Sequence, residues 1–282
     1  MAVTLSKHSY GKSHVCLSYI SRKEDRHDFI QLSAEISLEG KFDDAYTSDD
    51  NSKVVPTDTM KNTVYAIARM HGVDSIEDFA KNLAVHFCQT YDQVESATVS
   101  VSEQLWTRID CDGQPHGHAF TGGGSEQNTC CVSASADSIT MHSGLKGLKV
   151  LKTTESGFEG YSKDQLTTLA ETKDRIFATT ITAEWDCGNV SEDWTAIRIL
   201  VRSKLLEIFA HRYSPSVQRT LHEMAEAVLD SCPAISEITL NMPNQHHIPA
   251  DIAKLGLQNH NDIFVPTPEP FGVIEATIRR DG

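Results

Sequence analysis

The chain has 282 residues, 39 acidic against 25 basic side chains, a formal net charge of -14 and 39% hydrophobic residues. That length predicts about two domains with sizeable cores, and the acidic balance argues against nucleic acid or an anionic membrane surface as partner. The seven cysteines, an odd number without a CxxC spacing, point to a reducing compartment; with no leader peptide and no membrane-length apolar run, a soluble cytoplasmic protein is expected.

In chain order, residues 15–20 and the strict alternation of Ile30, Leu32, Ala34, Ile36 and Leu38 predict two paired, half-buried strands. Residues 41–53 read as a loop. A helix follows over 58–70, with Thr57 or Asp58 as its cap and Met60, Val64, Ile67 and Ala68 along one face. Ser75, with Asp78 three residues on, opens a second helix carrying Ile76, Phe79, Ala80, Leu83 and Phe87. Alternation returns at Ala97, Val99 and Val101 and runs toward Trp106; residues 110–130 read as a loop with a short strand at 118–121. The second half repeats the plan. Strands are expected at 131–141 and around Phe177, Ile181, Ala183 and Trp185, then a helix over 193–212. A further helix is opened by Ser214 as cap and Pro215 in the first turn, with Val217, Leu221, Met224, Ala225, Val228 and Leu229 as its stripe. Strands close the half at 238–242 and 274–278. The expected fold is α+β: tandem ββααββ units over 1–128 and 129–282, each an antiparallel sheet with helices on one face. Open sheet edges predict oligomerisation.

The segment 54–65 gathers hydroxyl, carboxylate, amine and amide groups at a helix start, where free N–H groups and the positive end of the helix dipole suit an anionic ligand. Taken alone, an ordinary N-cap accounts for it. His116-Gly117-His118 and His246-His247 lack a Cys or carboxylate at metal-ligand spacing, so no metal is expected. Gly122-Gly123-Gly124 lacks the context of a phosphate loop and reads as a flexible turn. Neither G-x-S-x-G nor H-E-x-x-H occurs. Ser216-Val217-Gln218 lies in the first turn of a helix, where unpaired N–H groups and an amide suit a planar, amide-like ligand. Asn244-Gln245-His246-His247 clusters amide and imidazole groups after a strand. Arg175 begins a strand, and Phe158 lies in a Gly-flanked loop. Singly, each has a plain structural explanation.

Jointly they carry a resemblance. Tyr10-Gly11-Lys12, Thr57-Asp58 with Lys61-Asn62-Thr63, Trp106-Thr107-Arg108, residues 148–152 with Phe158, Thr167-Thr168-Leu169 with Asp174-Arg175, Ser216-Val217-Gln218, and Pro243-Asn244 with His246 resemble the urate oxidase (uricase) family, in order and along nearly the whole chain. The resemblance implies the T-fold, a tunnel-shaped homotetramer of tandem repeats. It implies oxidation of urate by O₂ and water to 5-hydroxyisourate and H₂O₂ in purine catabolism, with no metal or organic cofactor. It also implies that Phe158 stacks on the purine and that Arg175 clamps the oxygen-bearing edge with two parallel bonds. Val217 N–H and Gln218 would bond the opposite edge and Asp58 the remaining ring, while Asn244 holds O₂ or water above it. Making urate electron-rich requires removing a second proton; Lys12, if desolvated, would accept it through Thr57, with His246 completing the relay.

Thr57 and Asp58 lie in the first repeat; Phe158, Arg175, Val217 and Gln218 lie in the second. Thr57 and Ser216 read as similar points of their repeats, which would hold them apart within one chain. Sites shared at subunit interfaces are therefore expected, with Lys12, Thr57 and Asp58 contributed across the interface. Eukaryotic members of the family often end in Ser-Lys-Leu, whereas this chain ends Arg279-Arg280-Asp281-Gly282. That favours the cytoplasm, with a peroxisomal address open if residues follow. Two other readings stand beside this one: a metal-dependent purine or pterin cyclohydrolase of the same fold using the histidine pairs, and a non-catalytic purine-binding protein.

Overall fold

The computed structural model describes residues 3–186 and 193–281, so Cys187 and Gly282 lie outside the described residues. Two compact units emerge, one of residues 1–144 and 186–194, the other of residues 145–185 and 195–282. In the first, β1 (Tyr10–Arg22), β2 (His27–Gly40), β3 (Val94–Cys111) and β4 (Gln114–Ser135) pair antiparallel in sequence order. The alternation in β2 orients it as its period demands: Leu32, Ala34, Ile36 and Leu38 are buried. A short helix α1 (Asp43–Thr47) precedes α2 (Thr57–His71) and α3 (Ile76–Thr90). Met60, Val64 and Ile67 of α2 and Phe79, Leu83 and Phe87 of α3 join Val99, Val101 and Val132 in one core. Burying each large apolar side chain contributes roughly 1.5–3 kcal/mol, which fixes both helices on that face. The α3 cap forms as read: Ser75 Oγ accepts from Asp78 N–H at 3.0 Å and donates to the Asp78 carboxylate at 2.7 Å. The opposite sheet face is polar, with cross-strand pairs such as Thr98–Ser133 at 2.8 Å.

The second unit holds the end of β5 (Ile139–Lys152), β6 (Phe177–Asp186), α4 (Trp194–His211), α5 (Val217–Ser231), β7 (Glu237–Asn241), β8 (Asn244–Pro249), β9 (Phe264–Gly272) and β10 (Glu275–Arg279), apart from Asp186 and Trp194 at the division. Its strand order is β5-β6-β7-β10, with β8 paired to β6 and β9. The α+β class is thus observed, with strands, a pair of long helices and further strands following in that chain order in each unit. Residues 128 and 129 both lie within β4. Cys16, Cys88, Cys111, Cys131 and Cys232 are free thiols. Among the described residues no helix is long and apolar enough to cross a membrane.

Several local expectations are corrected. Residues 41–53 contain α1, whose first turn carries Asp43 and Asp44, placed to favour a helix start. Residues 110–130 are hairpin, not loop: β3 and β4 continue through Asp112-Gly113, both at positive φ (56° and 75°), the conformation that an Asp-Gly two-residue turn adopts. Gly122-Gly123-Gly124 lies within β4 beside a register break that shifts pairing between Gln104 and Trp106, making it a bulged strand and not a turn. The strand expected over 131–141 is the end of β4 and the start of β5, separated by a turn in which Ser135 N–H donates to the Ser138 carbonyl at 2.9 Å. Finally, Ser216 and not Ser214 caps α5, its Oγ accepting from Arg219 N–H at 3.1 Å. Ser214 is buried in extended backbone, its Oγ accepting from the Thr220 hydroxyl at 2.7 Å.

Candidate active site

Within the first unit, Tyr10-Gly11-Lys12 is built for close approach. A Cβ at Gly11 would lie 1.8 Å from the Ile36 carbonyl oxygen, so β1 can pass this near β2 only with glycine there. Lys12 follows at once, half-buried, where the β1–β2 register breaks before Val15 and His14 turns to positive φ (56°). Tyr10 Oη accepts from Val55 N–H at 2.8 Å and donates to the Val55 carbonyl at 3.2 Å, tying the lead-in of α2 to β1. Burial raises the Tyr10 phenol above its ordinary pKa. Neither Thr57 nor Asp58 caps α2, contrary to expectation: Pro56 is the N-cap and offers no side-chain bond. The first N–H groups of α2 therefore stand at an exposed, uncapped helix start. The Asp58 carboxylate accepts from Lys61 Nζ at 2.5 Å and Asn62 Nδ2 at 2.9 Å. Lys61 chiefly, then Asn62 and the nearby charge of Lys12, hold its pKa below the ordinary carboxylate value. Lys12 and the Thr57-Asp58 helix start thus share one neighbourhood.

Three segments lace together in the second unit. Arg175 N–H donates to the Ser156 carbonyl at 2.8 Å, and Phe158 and Thr172 exchange two backbone bonds at 2.7 and 3.1 Å. Gly157 N–H donates to the Ser214 carbonyl at 2.8 Å, while Ser214 N–H donates to the Glu155 carbonyl at 2.9 Å. Phe158 and Arg175 are thereby held against the lead-in of α5. The Arg175 guanidinium lies 5.3 Å from the Phe158 ring centroid, and Tyr161 stacks on that ring at 4.8 Å. Arg175 Nε is buried without a hydrogen-bond partner, and among the described residues no carboxylate pairs with this arginine. Burial lowers its pKa, a shift that the nearby Tyr213 partly opposes. Ser216 satisfies only Arg219 N–H, leaving the N–H groups of Val217 and Gln218 with no acceptor inside the helix. Gln218 also lines a groove of about 420 Å³ with His222, Glu275 and Arg279.

Asn244 is half-buried at the start of β8, opposite Gly272. Gln245 donates to the Thr180 hydroxyl at 3.1 Å, anchoring β8 to β6 just beyond Arg175. His246 is exposed, and its carbonyl accepts from the Thr267 hydroxyl at 3.3 Å. Each unit thus assembles its own share of the predicted residues: Lys12, Thr57 and Asp58 in the first, Phe158, Arg175, Val217, Gln218, Asn244 and His246 in the second. Thr57 and Ser216 are not at equivalent points, because α2 is the first long helix of its unit and α5 the second of its own. Reading both as helix starts missed which helix each one starts. Among the described residues no group of three His, Cys, Asp or Glu side chains could hold a metal. Tyr10, Ser156 and Ser214 were missed as positioning residues; only their place within or beside the quoted motifs could have pointed to them.

A family profile described as uricase matches residues 8–133 and 141–275. The uricase of Arthrobacter globiformis is 40% identical over 280 residues, covering 99% of this chain and 91% of that protein. The uricase of Danio rerio is 38% identical over 277 residues, covering 96% and 93%. A crystal structure of the Arthrobacter globiformis uricase superposes with a TM-score of 0.94 at 39% identity, over 100% of this chain and 96% of that one. A uricase structure from Bacillus fastidious, at 20% identity and a TM-score of 0.84, shares the fold.

Proposed function

The chain belongs to the uricase family and is an oxidoreductase of urate, and from that premise we propose how its residues carry the reaction. The observation that carries this reading is Arg175: a chain of net charge -14 holds a half-buried guanidinium beside an aromatic ring, with no carboxylate partner among the described residues. Such an arrangement suits a flat anion. Phe158 stacks on the purine, and Arg175 clamps the oxygen-bearing edge with two charge-assisted bonds. Val217 N–H and the Gln218 side chain take the opposite edge, and Asp58 the remaining ring. Polar groups left unpaired by an analogue lacking the right edge would penalise it.

Lys12, acting through Thr57 and with His246 completing the relay, removes the second proton. The resulting dianion is rich enough to pass two electrons to O₂, held with water by Asn244. Urate, O₂ and water become 5-hydroxyisourate and H₂O₂, so the substrate itself is the reductant and neither metal nor organic cofactor is required. The two groups of residues belong to different units, and in keeping with the family resemblance the complete site forms between two copies of the chain, in a tunnel-shaped homotetramer. Free thiols and the acidic surface fit a cytoplasmic setting.

The test is aerobic incubation with urate, following near-ultraviolet absorbance and peroxide with and without a chelator. Urate loss with matching peroxide, unaffected by chelator, is expected. Chelator-sensitive conversion would favour the cyclohydrolase reading, and bound but unchanged urate the binding-protein reading.

A further inference from the structure

The segment joining α4 to α5 ties three parts of the second unit together through consecutive residues. The Arg212 carbonyl accepts from Lys152 Nζ at 2.7 Å, and that ammonium also lies 5.5 Å from the Phe209 ring centroid. Tyr213 Oη donates to the Lys173 carbonyl at 3.2 Å. Ser214 exchanges backbone bonds with the 155–157 segment. The middle link is the unusual one. A Cβ at position 157 would lie 2.3 Å from Tyr213 Oη and 2.9 Å from the Thr172 carbonyl oxygen. Gly157 has no positive φ to explain it, so the glycine makes room for both the phenol and the Thr172 carbonyl. Through that gap the hydroxyl reaches the backbone two residues before Arg175, from a position four residues before Val217. The phenol is also close enough to act electrostatically on the Arg175 guanidinium.

We propose that Tyr213 is a positioning residue, and that Tyr213 with Gly157 forms a latch setting the Arg175 guanidinium relative to the first N–H groups of α5. This rests on the assignment of Arg175, Val217 and Gln218 to urate. A bidentate clamp works only with both of its bonds near 2.7–2.9 Å. Shifting one edge of the clamp against the other by a few tenths of an ångström weakens both contacts at once. Tyr213 is 45% exposed, so its hydroxyl does little for the core; its loss is felt in binding before it is felt in folding.

The test compares Tyr213→Phe, Gly157→Ala, their double variant and Arg175→Gln in the oligomer as purified. The readouts are urate kinetics, titration with xanthine as an unreactive purine, and thermal denaturation. Losing one neutral hydrogen bond at the latch should raise KM and the xanthine Kd about fivefold in Tyr213→Phe, with kcat unchanged and Tm lowered by no more than about 2–4 °C. Gly157→Ala should raise KM further. The double variant should fall short of the product of the two single effects, because the Tyr213→Phe change removes the nearer of the two oxygens that the new Cβ strikes and leaves only the Thr172 carbonyl. Wild-type KM in Tyr213→Phe alongside a raised KM in Arg175→Gln would overturn the latch alone, as would strict additivity in the double variant. Unchanged affinity in Arg175→Gln would overturn the site assignment and the latch with it.

Discussion

Replacing Arg175 with glutamine should separate ligand binding from stability, because the structure gives this side chain little to do for the fold. Its Nε is buried without an acceptor, no carboxylate among the described residues pairs with it, and burial lowers its pKa. A base whose pKa is lower folded than unfolded is harder to charge in the folded state. Its charge therefore subtracts from stability at every pH below the lowered value, which covers the whole working range. The cation–π contact with Phe158 returns about 0.5–1 kcal/mol. The net change in stability of the ligand-free protein is thus small in either direction. Breaking a structural buried ion pair would instead cost about 3–5 kcal/mol. On the ligand side, a charge-assisted clamp contributes roughly 1.5–3 kcal/mol. At about 1.4 kcal/mol per factor of ten, affinity for urate and xanthine should fall roughly 10- to 150-fold. Urate kinetics and xanthine titration, run beside denaturant or thermal unfolding, measure both quantities. A large loss of stability with unchanged affinity would refute the reasoning and make Arg175 a structural residue.

Lys12→Met should lower kcat by roughly 10²–10⁴-fold with a small change in KM, as removal of a general base does; near-normal turnover would take Lys12 out of the relay. Thr57→Ala and Arg175→Gln, each severely impaired alone, should regain activity when co-expressed, because a mixed oligomer contains some sites with both native halves. Mixed oligomers that stay inactive would rule out a site shared between copies. Asp28 accepts from Lys23 at 2.9 Å, Arg26 at 3.0 Å and Arg108 at 2.6 Å, and Lys23 and then Arg26 hold its carboxyl well below the usual range. A depressed carboxylate stabilises above its unfolded pKa and loses that contribution as pH falls through the folded one. Asp28→Asn should therefore be less stable than the parent at pH 7, with the difference closing below about pH 5. A gap independent of pH would exclude the charge as its cause.

Local chemistry is legible wherever a local period or a short bond decides the structure. The alternation of Leu32, Ala34, Ile36 and Leu38 encodes which face of β2 is buried, and Ser75 with Asp78 encodes the start of α3, since the cap bond spans three residues. Asp112-Gly113 is equally local, but the polar run around it hides the hairpin. Pro215 suits a first turn and so favours Ser214 over Ser216 as a cap; the pull of Ser156 and Thr220 on Ser214 comes from packing, which the serine spacing does not carry. The order of motifs along the chain identifies the family, yet each site residue taken singly is ambiguous between a ligand contact and an ordinary surface or core role. Only the tertiary structure decides that Tyr10 reaches Val55 across 45 positions and that Tyr213 reaches Lys173 across 40. It also leaves Arg175 beside Phe158 with no partnering anion among the described residues. Periodicity and capping are properties of neighbours in sequence. A cation left unpaired, and the phenol that locates it, depend on which distant segments the core brings together.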